Sequence, residues 1–387
     1  MWEFLEYPTG LFFLHCHQGF LSMKQALGMQ CLSIVGGGLA VFWMAASATA
    51  QPVVHSDRTI TFQLEADDAE RVDVRGEVGR HSLRRDAQGF WQATIGPLEP
   101  GLYGYNFEVD GVQTVDPKNP DVKLGRSVKM NLVEVVGDDP PVWAWRDVPH
   151  GTLHVHEYAS ESLGGAVRRV HVYTPPGYEQ SSTRYPVLYL LHGSGDTDAT
   201  WTNYGRAHYI VDNLIVAGEA KPMIIVMPTG HARPKGHAGD LERAEMFAAF
   251  EKDLLHDLIP MIESTYRTIA DGDHRALAGL SMGGSQTATI GPKHADRFGW
   301  LGGFSFGGPI ESVVDAAMAD PKRLGDNLRL VWMGAGDRDK GAIDRQQRFM
   351  EQLKPSSVKV EHHVIEGGHA WPVWRWALAE FLPKIFQ

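Results

Sequence analysis

One stretch limits the fold of this chain more than any other: Arg275-Ala276-Leu277-Ala278-Gly279-Leu280-Ser281-Met282-Gly283-Gly284. Its apolar run reads as a short buried strand. The run breaks at a Gly-x-Ser-x-Gly turn, and small residues then open a helix from Gly284 to Ile290. A strand that passes straight into a helix through such a turn lifts a serine hydroxyl out of a sheet, where it is available as a nucleophile. Glycines flank Ser281 because a tight turn needs positions without a Cβ. The following helix aims backbone N–H groups and a positive dipole end at the serine, where an oxyanion would form.

The five-residue pattern occurs twice. Gly303-Phe304-Ser305-Phe306-Gly307 also fits. Context separates the two. Ser281 lies between a strand pattern and a helix pattern, whereas Ser305 ends the apolar run Trp300 to Phe306 and precedes Gly307-Gly308-Pro309, which reads as a loop. Ser281 is therefore the expected nucleophile, and Ser305 the end of the next strand, lining a pocket at most.

From residue 152 strands alternate with helices. Val167 to Tyr173 and the near-continuous apolar run Tyr185 to Leu191 read as strands, as do Met223 to Met227, Trp300 to Phe306, Leu328 to Gly334 and Val358 to Ile365. Helical periodicity covers His208 to Ala217, Arg243 to Thr265, Ile343 to Leu353 and Trp374 to Ile385. Such alternation implies an α/β fold with a mostly parallel sheet and helices on both faces.

Serine is a poor nucleophile at neutral pH. An imidazole must take its proton, and a carboxylate must fix the imidazole's tautomer. In an α/β-hydrolase these groups follow in the order serine, acid, histidine, each at a strand end. After Ser281 the strand Leu328 to Met333 ends in Gly334-Ala335-Gly336-Asp337-Arg338-Asp339, which offers two carboxylates. Strand Val358 to Ile365 ends in Glu366-Gly367-Gly368-His369, an imidazole on a glycine-loosened loop at the same sheet edge. His362 and His363 lie within a strand and cannot swing to a loop serine, and His192 lies beside Ser194. Leu191-His192-Gly193-Ser194-Gly195 is placed to supply a backbone N–H from about Ser194, joining that of Met282 in an oxyanion hole.

Residues 53–137 read instead as short, evenly spaced strands: Arg58 to Leu64, Arg71 to Gly76, Gly89 to Ile95, Tyr103 to Val109 and Val128 to Val136, with Asp110-Gly111 as a hairpin turn. This indicates a β-sandwich over 51–138. Gly89-Phe90-Trp91, Pro100-Gly101-Leu102-Tyr103-Gly104-Tyr105, Val109-Asp110-Gly111 and Asp116-Pro117-Lys118-Asn119-Pro120 resemble the immunoglobulin-like module in front of glycogen-branching enzymes and some carbohydrate esterases. The resemblance implies a polysaccharide contact, against which stands simple packing of Trp91, Tyr103 and Tyr105 in the sandwich. Residues 139–151, with Pro140-Pro141, read as a linker; Trp143 and Trp145 are expected to dock it onto a domain, the alternative being that they line a sugar cleft.

The net charge of −11 and the absence of a basic stripe argue against a nucleic-acid partner. Residues 1–50 read as a signal peptide with its start at Met23: Lys24, an apolar stretch from Cys31 to Ala46, then Ala48-Thr49-Ala50. The sequence upstream of Met23 is extraneous to that pattern. The apolar stretch looks short for a stable membrane span. Cys16 and Cys31, the two cysteines of the chain, both lie there. Cleavage would leave a charge of 35 − 45 = −10, no disulfide and no thiolate, and would send the protein to a periplasm or outside the cell. His154-Val155-His156 and His362-His363 lack a His-Glu-x-x-His helix or a cysteine cluster, so no metal and no cofactor are expected.

Residues 152–387 are similar to the feruloyl esterase and acetyl xylan esterase group, the first carbohydrate esterase family, related to esterase D. The motifs that carry this are Tyr185 to Gly193, Gly205-Arg206-Ala207-His208, Ala278 to Gly284, Gly336-Asp337-Arg338-Asp339 and Gly367-Gly368-His369-Ala370-Trp371-Pro372-Val373-Trp374. The resemblance implies Asp339 as the acid, which the residues alone leave open against Asp337. It departs at Lys340-Gly341, where family members carry an apolar residue. It also implies a serine esterase acting through an acyl-enzyme on feruloyl or acetyl esters of xylan, with Trp201, Tyr204, His208 and Trp371 as candidates to line the acyl or sugar pocket. Two alternatives are a siderophore trilactone esterase, for whose anionic substrate Arg206, Arg233 and Lys235 are available, and a polysaccharide-binding protein with an inert hydrolase domain.

Overall fold

The computed structural model describes residues 52–239, 241–306 and 319–387. The signal-peptide reading of 1–50 lies outside them. No helix among the described residues is long and apolar enough to cross a membrane.

Residues 53–135 form two antiparallel sheets. One pairs Val53–Val54, Ile60–Glu65, Phe90–Ile95 and Arg84–Arg85 in that order. The other is built on the long strand Gly101–Val109, which pairs with Val72–Gly76 and Val112–Thr114 through its second half and with Asn131–Val135 through its first. Alternation explains the shared core. Ile60, Phe62 and Leu64 turn inward from one sheet, and Val72, Val74, Tyr105 and Phe107 from the other. At the hairpin, Asp110 and Gly111 both take positive φ (47° and 86°), as a two-residue turn of this hand requires, and the Asp110 carboxylate accepts from the Arg71 N–H at 2.8 Å. The aromatics are spent on packing: Trp91 donates its indole N–H to the Ala66 carbonyl, Tyr103 donates to the Glu99 carbonyl, and Tyr105 donates from full burial to Asp116.

The second sheet has eight strands: β1 (Thr152–Ser160), β2 (Ala166–Thr174), β3 (Val187–Leu191), β4 (Ile224–Pro228), β5 (Arg275–Leu280), β6 (Trp300–Phe304), β7 (Leu330–Gly336) and β8 (Val360–Ile365). Their order is β1-β2-β4-β3-β5-β6-β7-β8, antiparallel at β1/β2 and β2/β4 and parallel elsewhere. This is an α/β-hydrolase sheet, mixed at one edge. The central strands are apolar throughout because both faces are covered. Val187, Tyr189 and Leu191 of β3 enter one core, and Leu188 and Leu190 the other.

Five helices matter for the site: α1 (Ala207–Val216), α2 (Arg243–Asp253), α3 (Met282–Lys293), α4 (Lys340–Leu353) and α5 (Trp371–Phe381). The single helix expected over 243–265 is continuous in path but widens to a π turn at Leu254–Leu258 before Ile259–Thr265. Pro260 lacks the N–H that would close an ordinary α turn there.

The sandwich and the large sheet share one contact unit, Ala48–Gln387. Leu102 and Leu132 of the sandwich enter the core beneath α1 and α5. Buried Arg375 of α5 donates to the carbonyls of Leu102 and Tyr204, and the Tyr204 hydroxyl hydrogen-bonds Glu77. In the linker, Trp143 is partly buried against that core, and Asn213 donates to the carbonyls of Val142 and Ala144 at 2.7 and 2.9 Å. Trp145 stays exposed and stacks on His150.

Candidate active site

The β5-to-α3 turn places Ser281 at φ 50° and ψ −108°, a conformation that costs a side-chain-bearing residue about 1–3 kcal/mol. What holds it is crowding on both sides. A Cβ on Gly279 would stand 2.6 Å from the backbone of Gly283, and one on Gly283 would stand 2.6 Å from the Leu191 carbonyl oxygen. Both glycines are needed for close approach rather than for an unusual φ.

His369 follows β8 on a loop opened by Gly367 and Gly368. Its Nε2 lies 2.9 Å from Ser281 Oγ, and its Nδ1 lies 2.6 Å from Asp339 Oδ2. The ring stands edge-on to Trp374, with centroids 5.1 Å apart. Asp339 is largely buried beside this half-exposed ring and also caps α4, accepting from the Ala342 N–H. Asp337 has a different task. Its Oδ1 accepts the Gly367 N–H at 2.9 Å, and the Arg338 N–H donates to the Gly367 carbonyl, so it pins the loop that carries His369.

Across from the serine, Gly193 closes onto the elbow: a Cβ there would stand 2.7 Å from Leu280 and 3.7 Å from Ser281 Cβ. His192 organises this loop. It is buried, its Nδ1 donates to the Gly193 carbonyl at 2.8 Å, and its Nε2 accepts the Gly230 N–H at 2.8 Å. That pair of bonds fixes the neutral tautomer, and burial holds its pKa below the ordinary value. The Gly283 N–H is taken by the His192 carbonyl, so the α3 terminus is tied to the same loop. Met282 is the first residue of α3, so its N–H has no partner within the helix.

Ser194 and Met282 both line a cavity of about 220 Å³, together with Arg126, His231, Arg233 and Arg243. A neighbouring cavity of about 610 Å³ shares Arg126 and Ser194 and adds Lys123 and Lys129. Burial lowers the His231 pKa to about 4, helped by His192 and Arg126. Arg126 and Lys129 come from the sandwich and are absent from the sequence expectation. Their signal was Lys123, Arg126 and Lys129 recurring every third residue in an otherwise acidic chain.

Four expected pocket residues are corrected. Trp201, Tyr204 and Trp371 are buried in the core between sheet and sandwich, with ring pairs at 5.0 and 5.3 Å. Trp201 donates to the Leu191 carbonyl, and none of the three lines either cavity. His208 packs on Tyr209 away from them, its pKa lowered by burial to about 4. Trp201, Tyr204 and Trp371 are claimed by the core that forms between the large sheet and the sandwich. Of the three cations considered for an anionic substrate, Arg206 is paired with Glu134 at 2.7 and 2.8 Å, and Lys235 is exposed outside both cavities; only Arg233 lines one.

The other histidines have structural partners. His362 bonds Gln346, His363 stacks on Trp332, and His154 and His156 pack on Tyr266. Among the described residues no cluster of three or more His, Cys, Asp or Glu is arranged to hold a metal.

Residues 160–385 match the Esterase family. An endo-1,4-beta-xylanase/feruloyl esterase of Xylanibacter ruminicola is 34% identical over 348 residues, covering 87% of this chain and 46% of that protein. The chain therefore spans about half the length of that relative. A solved ferulic acid esterase is 29% identical with a TM-score of 0.52, covering 61% of this chain and 97% of that one. The enterobactin esterase of Shigella flexneri, at 20% identity and TM-score 0.63, covers 84% of this chain and 92% of that one, and shares the fold.

Proposed function

This chain belongs to the Esterase family, and from that premise we propose that it is a serine carboxylic-ester hydrolase acting on feruloyl or acetyl esters of plant cell-wall polysaccharide. The observation that carries this reading is the unbroken hydrogen-bonded chain Ser281–His369–Asp339 at 2.9 and 2.6 Å.

In this mechanism His369 Nε2 takes the Ser281 proton as Oγ attacks the ester carbonyl. Asp339 holds Nδ1–H and stabilises the imidazolium that forms. The N–H groups of Ser194 and Met282 receive the negative oxygen, the helix α3 terminus adding its dipole. His369 then passes the proton to the departing alcohol, leaving an acyl-enzyme. Water, deprotonated by the same imidazole, attacks the acyl carbonyl and regenerates Ser281.

The xylan-linked substrate is supported by the 34% identity to a protein named as a xylanase and feruloyl esterase and the 29% identity to a ferulic acid esterase. The sandwich is read as immunoglobulin-like, and export from the Ala48-Thr49-Ala50 pattern fits a polymer that cannot enter the cell.

A fluorophosphonate should add once, at Ser281, and abolish turnover; labelling elsewhere with activity retained overturns the reading. Hydrolysis of methyl ferulate and acetylated xylan should exceed that of enterobactin. The reverse order assigns the trilactone as substrate, and xylan binding without turnover of any aryl ester assigns a binding protein.

A further inference from the structure

We propose that Lys123, carried by the N-terminal sandwich, is a positioning residue for ester hydrolysis: through buried Asp196 it holds the turn that presents the Ser194 N–H to the substrate oxygen. The inference rests on the esterase reading and makes the sandwich part of the working site.

Ser194 and Gly195 are the central residues of a turn that Asp196 closes twice. The Asp196 N–H donates to the Gly193 carbonyl at 3.1 Å, and its Oδ2 accepts the Gly193 N–H at 3.3 Å. The carboxylate lies so close to this backbone that a Cβ on Gly193 would stand 3.0 Å from Oδ2. The second oxygen, Oδ1, lies 2.8 Å from Lys123 Nζ. Asp196 is 3% exposed. A carboxylate buried that deeply stays in place only while a counter-charge and hydrogen bonds replace the water it has lost. Lys123 supplies that charge from the other sheet system.

The ammonium is itself enclosed. It sits over the rings of Tyr204 and Trp371, 5.6 and 5.5 Å from their centroids. An ion pair shielded in this way is screened far less than a surface one. The backbone around Lys123 is fixed without help from its side chain. The Lys123 N–H donates to the Met130 carbonyl at 3.0 Å, and the Leu124 N–H to Asn203 at 2.9 Å. Gly125 forms a β-bridge with Asp196, and the Arg126 N–H donates to the Gly195 carbonyl at 3.1 Å. Replacing the Lys123 side chain therefore leaves the segment docked and removes the charge. Asp196 then turns toward water and lets go of the Gly193 N–H, and the Ser194 N–H, one residue on, loses its aim. An oxyanion contact is made in full only in the transition state, so the loss should fall on kcat and leave KM nearly unchanged.

The test follows kcat for 4-nitrophenyl acetate, taken per serine titrated with a fluorophosphonate so that unfolded protein does not count. Lys123→Met should lower it about 30-fold, short of the loss of an oxyanion donor outright, with KM within about threefold of wild type. Lys123→Arg, which keeps the charge, should recover most of that. Phenylboronic acid adds to the Ser281 hydroxyl as a tetrahedral adduct with an oxygen where the ester oxygen would gather charge. Its inhibition constant should rise in Lys123→Met by about the factor that kcat falls. The deciding comparison uses Asp196→Asn. A neutral amide needs no counter-charge, so adding Lys123→Met in that background should cost less than about threefold. A lysine that only docked the sandwich would cost the same in both backgrounds, and that result overturns the proposal. So does a kcat within about threefold of wild type in Lys123→Met, with the esterase left intact. Should Lys123→Met not fold, Lys123→Gln is compared across the same two backgrounds and decides in the same way. No turnover of 4-nitrophenyl acetate by wild type instead overturns the esterase reading on which the proposal rests.

Discussion

The two Gly-x-Ser-x-Gly serines are one strand apart and share a positive φ. Ser281 ends β5 with φ 50°, and Ser305 follows β6 with φ 48°. Each serine N–H donates at 2.8 Å to the next strand over, Ser281 to the Phe304 carbonyl and Ser305 to that of Gly334. Their surroundings differ. The Ser281 hydroxyl meets His369, whereas that of Ser305 is fully buried with no partner among the described residues. The pattern therefore dictates a strained turn at the end of a parallel strand, and nothing more. Chemistry depends on which turn faces the loop after β8. The largest effect should follow this contrast. Ser281→Ala should lower kcat by about 10⁴-fold or more, while Ser305→Ala should change it less than about threefold. Ser305→Ala should leave the urea midpoint within about 0.5 kcal/mol of wild type, because no hydrogen bond is lost. Comparable losses in both variants would break the comparison.

The same division of labour recurs at the end of β7, where two aspartates compete for one role. Asp339→Asn keeps the shape but loses the charge that fixes the His369 tautomer, and should cost about 10⁴-fold in kcat. Asp337→Asn loosens the Gly367 N–H bond and the 3.7 Å contact with Arg338, away from the imidazole, and should cost about tenfold or less, appearing also as faster amide exchange in the 366–369 loop. A larger loss from Asp337→Asn would make it the catalytic acid.

Most of this site was legible because its signals are local. Strand ends, glycine turns and their chain order put Ser281 and His369 together, and only a resemblance separated Asp339 from Asp337. The four pocket rings were misread because exposure is not a local property. Trp201 and Trp371 look like any pocket aromatic until the sandwich's Leu102 and Leu132 close over that side of the sheet. Arg126 was missed for the converse reason: it is remote in sequence from Ser281 and is brought beside the Ser194 loop by the Gly125–Asp196 β-bridge and its own N–H bond to Gly195. The interruption of the 243–265 helix followed from Pro260, a residue visible in the sequence.

Stability should separate the two turns next. Gly283→Ala drives a Cβ into the Leu191 backbone, which cannot yield without moving β3, and should cost about 2–4 kcal/mol by urea unfolding. Gly303→Ala meets the Phe306 ring at 2.6 Å, a side chain that can turn, and should cost about half as much. Equal costs would mean that the Ser281 turn is no more tightly built than its neighbour.

The smallest effect concerns acid. The Ser281 rim is backed by two histidines held neutral, His192 and His231. His231 has a folded-state pKa of about 4 against an ordinary value of 6.5, through burial first and the nearby His192 and Arg126 second. Between those values the unfolded chain binds a proton that the folded chain refuses. The stability His231 contributes is therefore full above pH 6.5 and falls as the pH drops toward 4. Because the residue is only partly buried, the loss should reach only about 1–2 kcal/mol. The carboxylates act lower: Asp73, whose pKa is brought down to about 2 by bonds to Ser82 and Arg80, loses its contribution only below about pH 3.8. Urea midpoints at pH 7.5 and 5 should therefore differ in wild type and differ by less in His231→Asn, the remainder coming from His192 and His208. Amide exchange should quicken at 193–196 and 281–285 before 301–306. Equal quickening of both turns would place the acid sensitivity elsewhere in the fold.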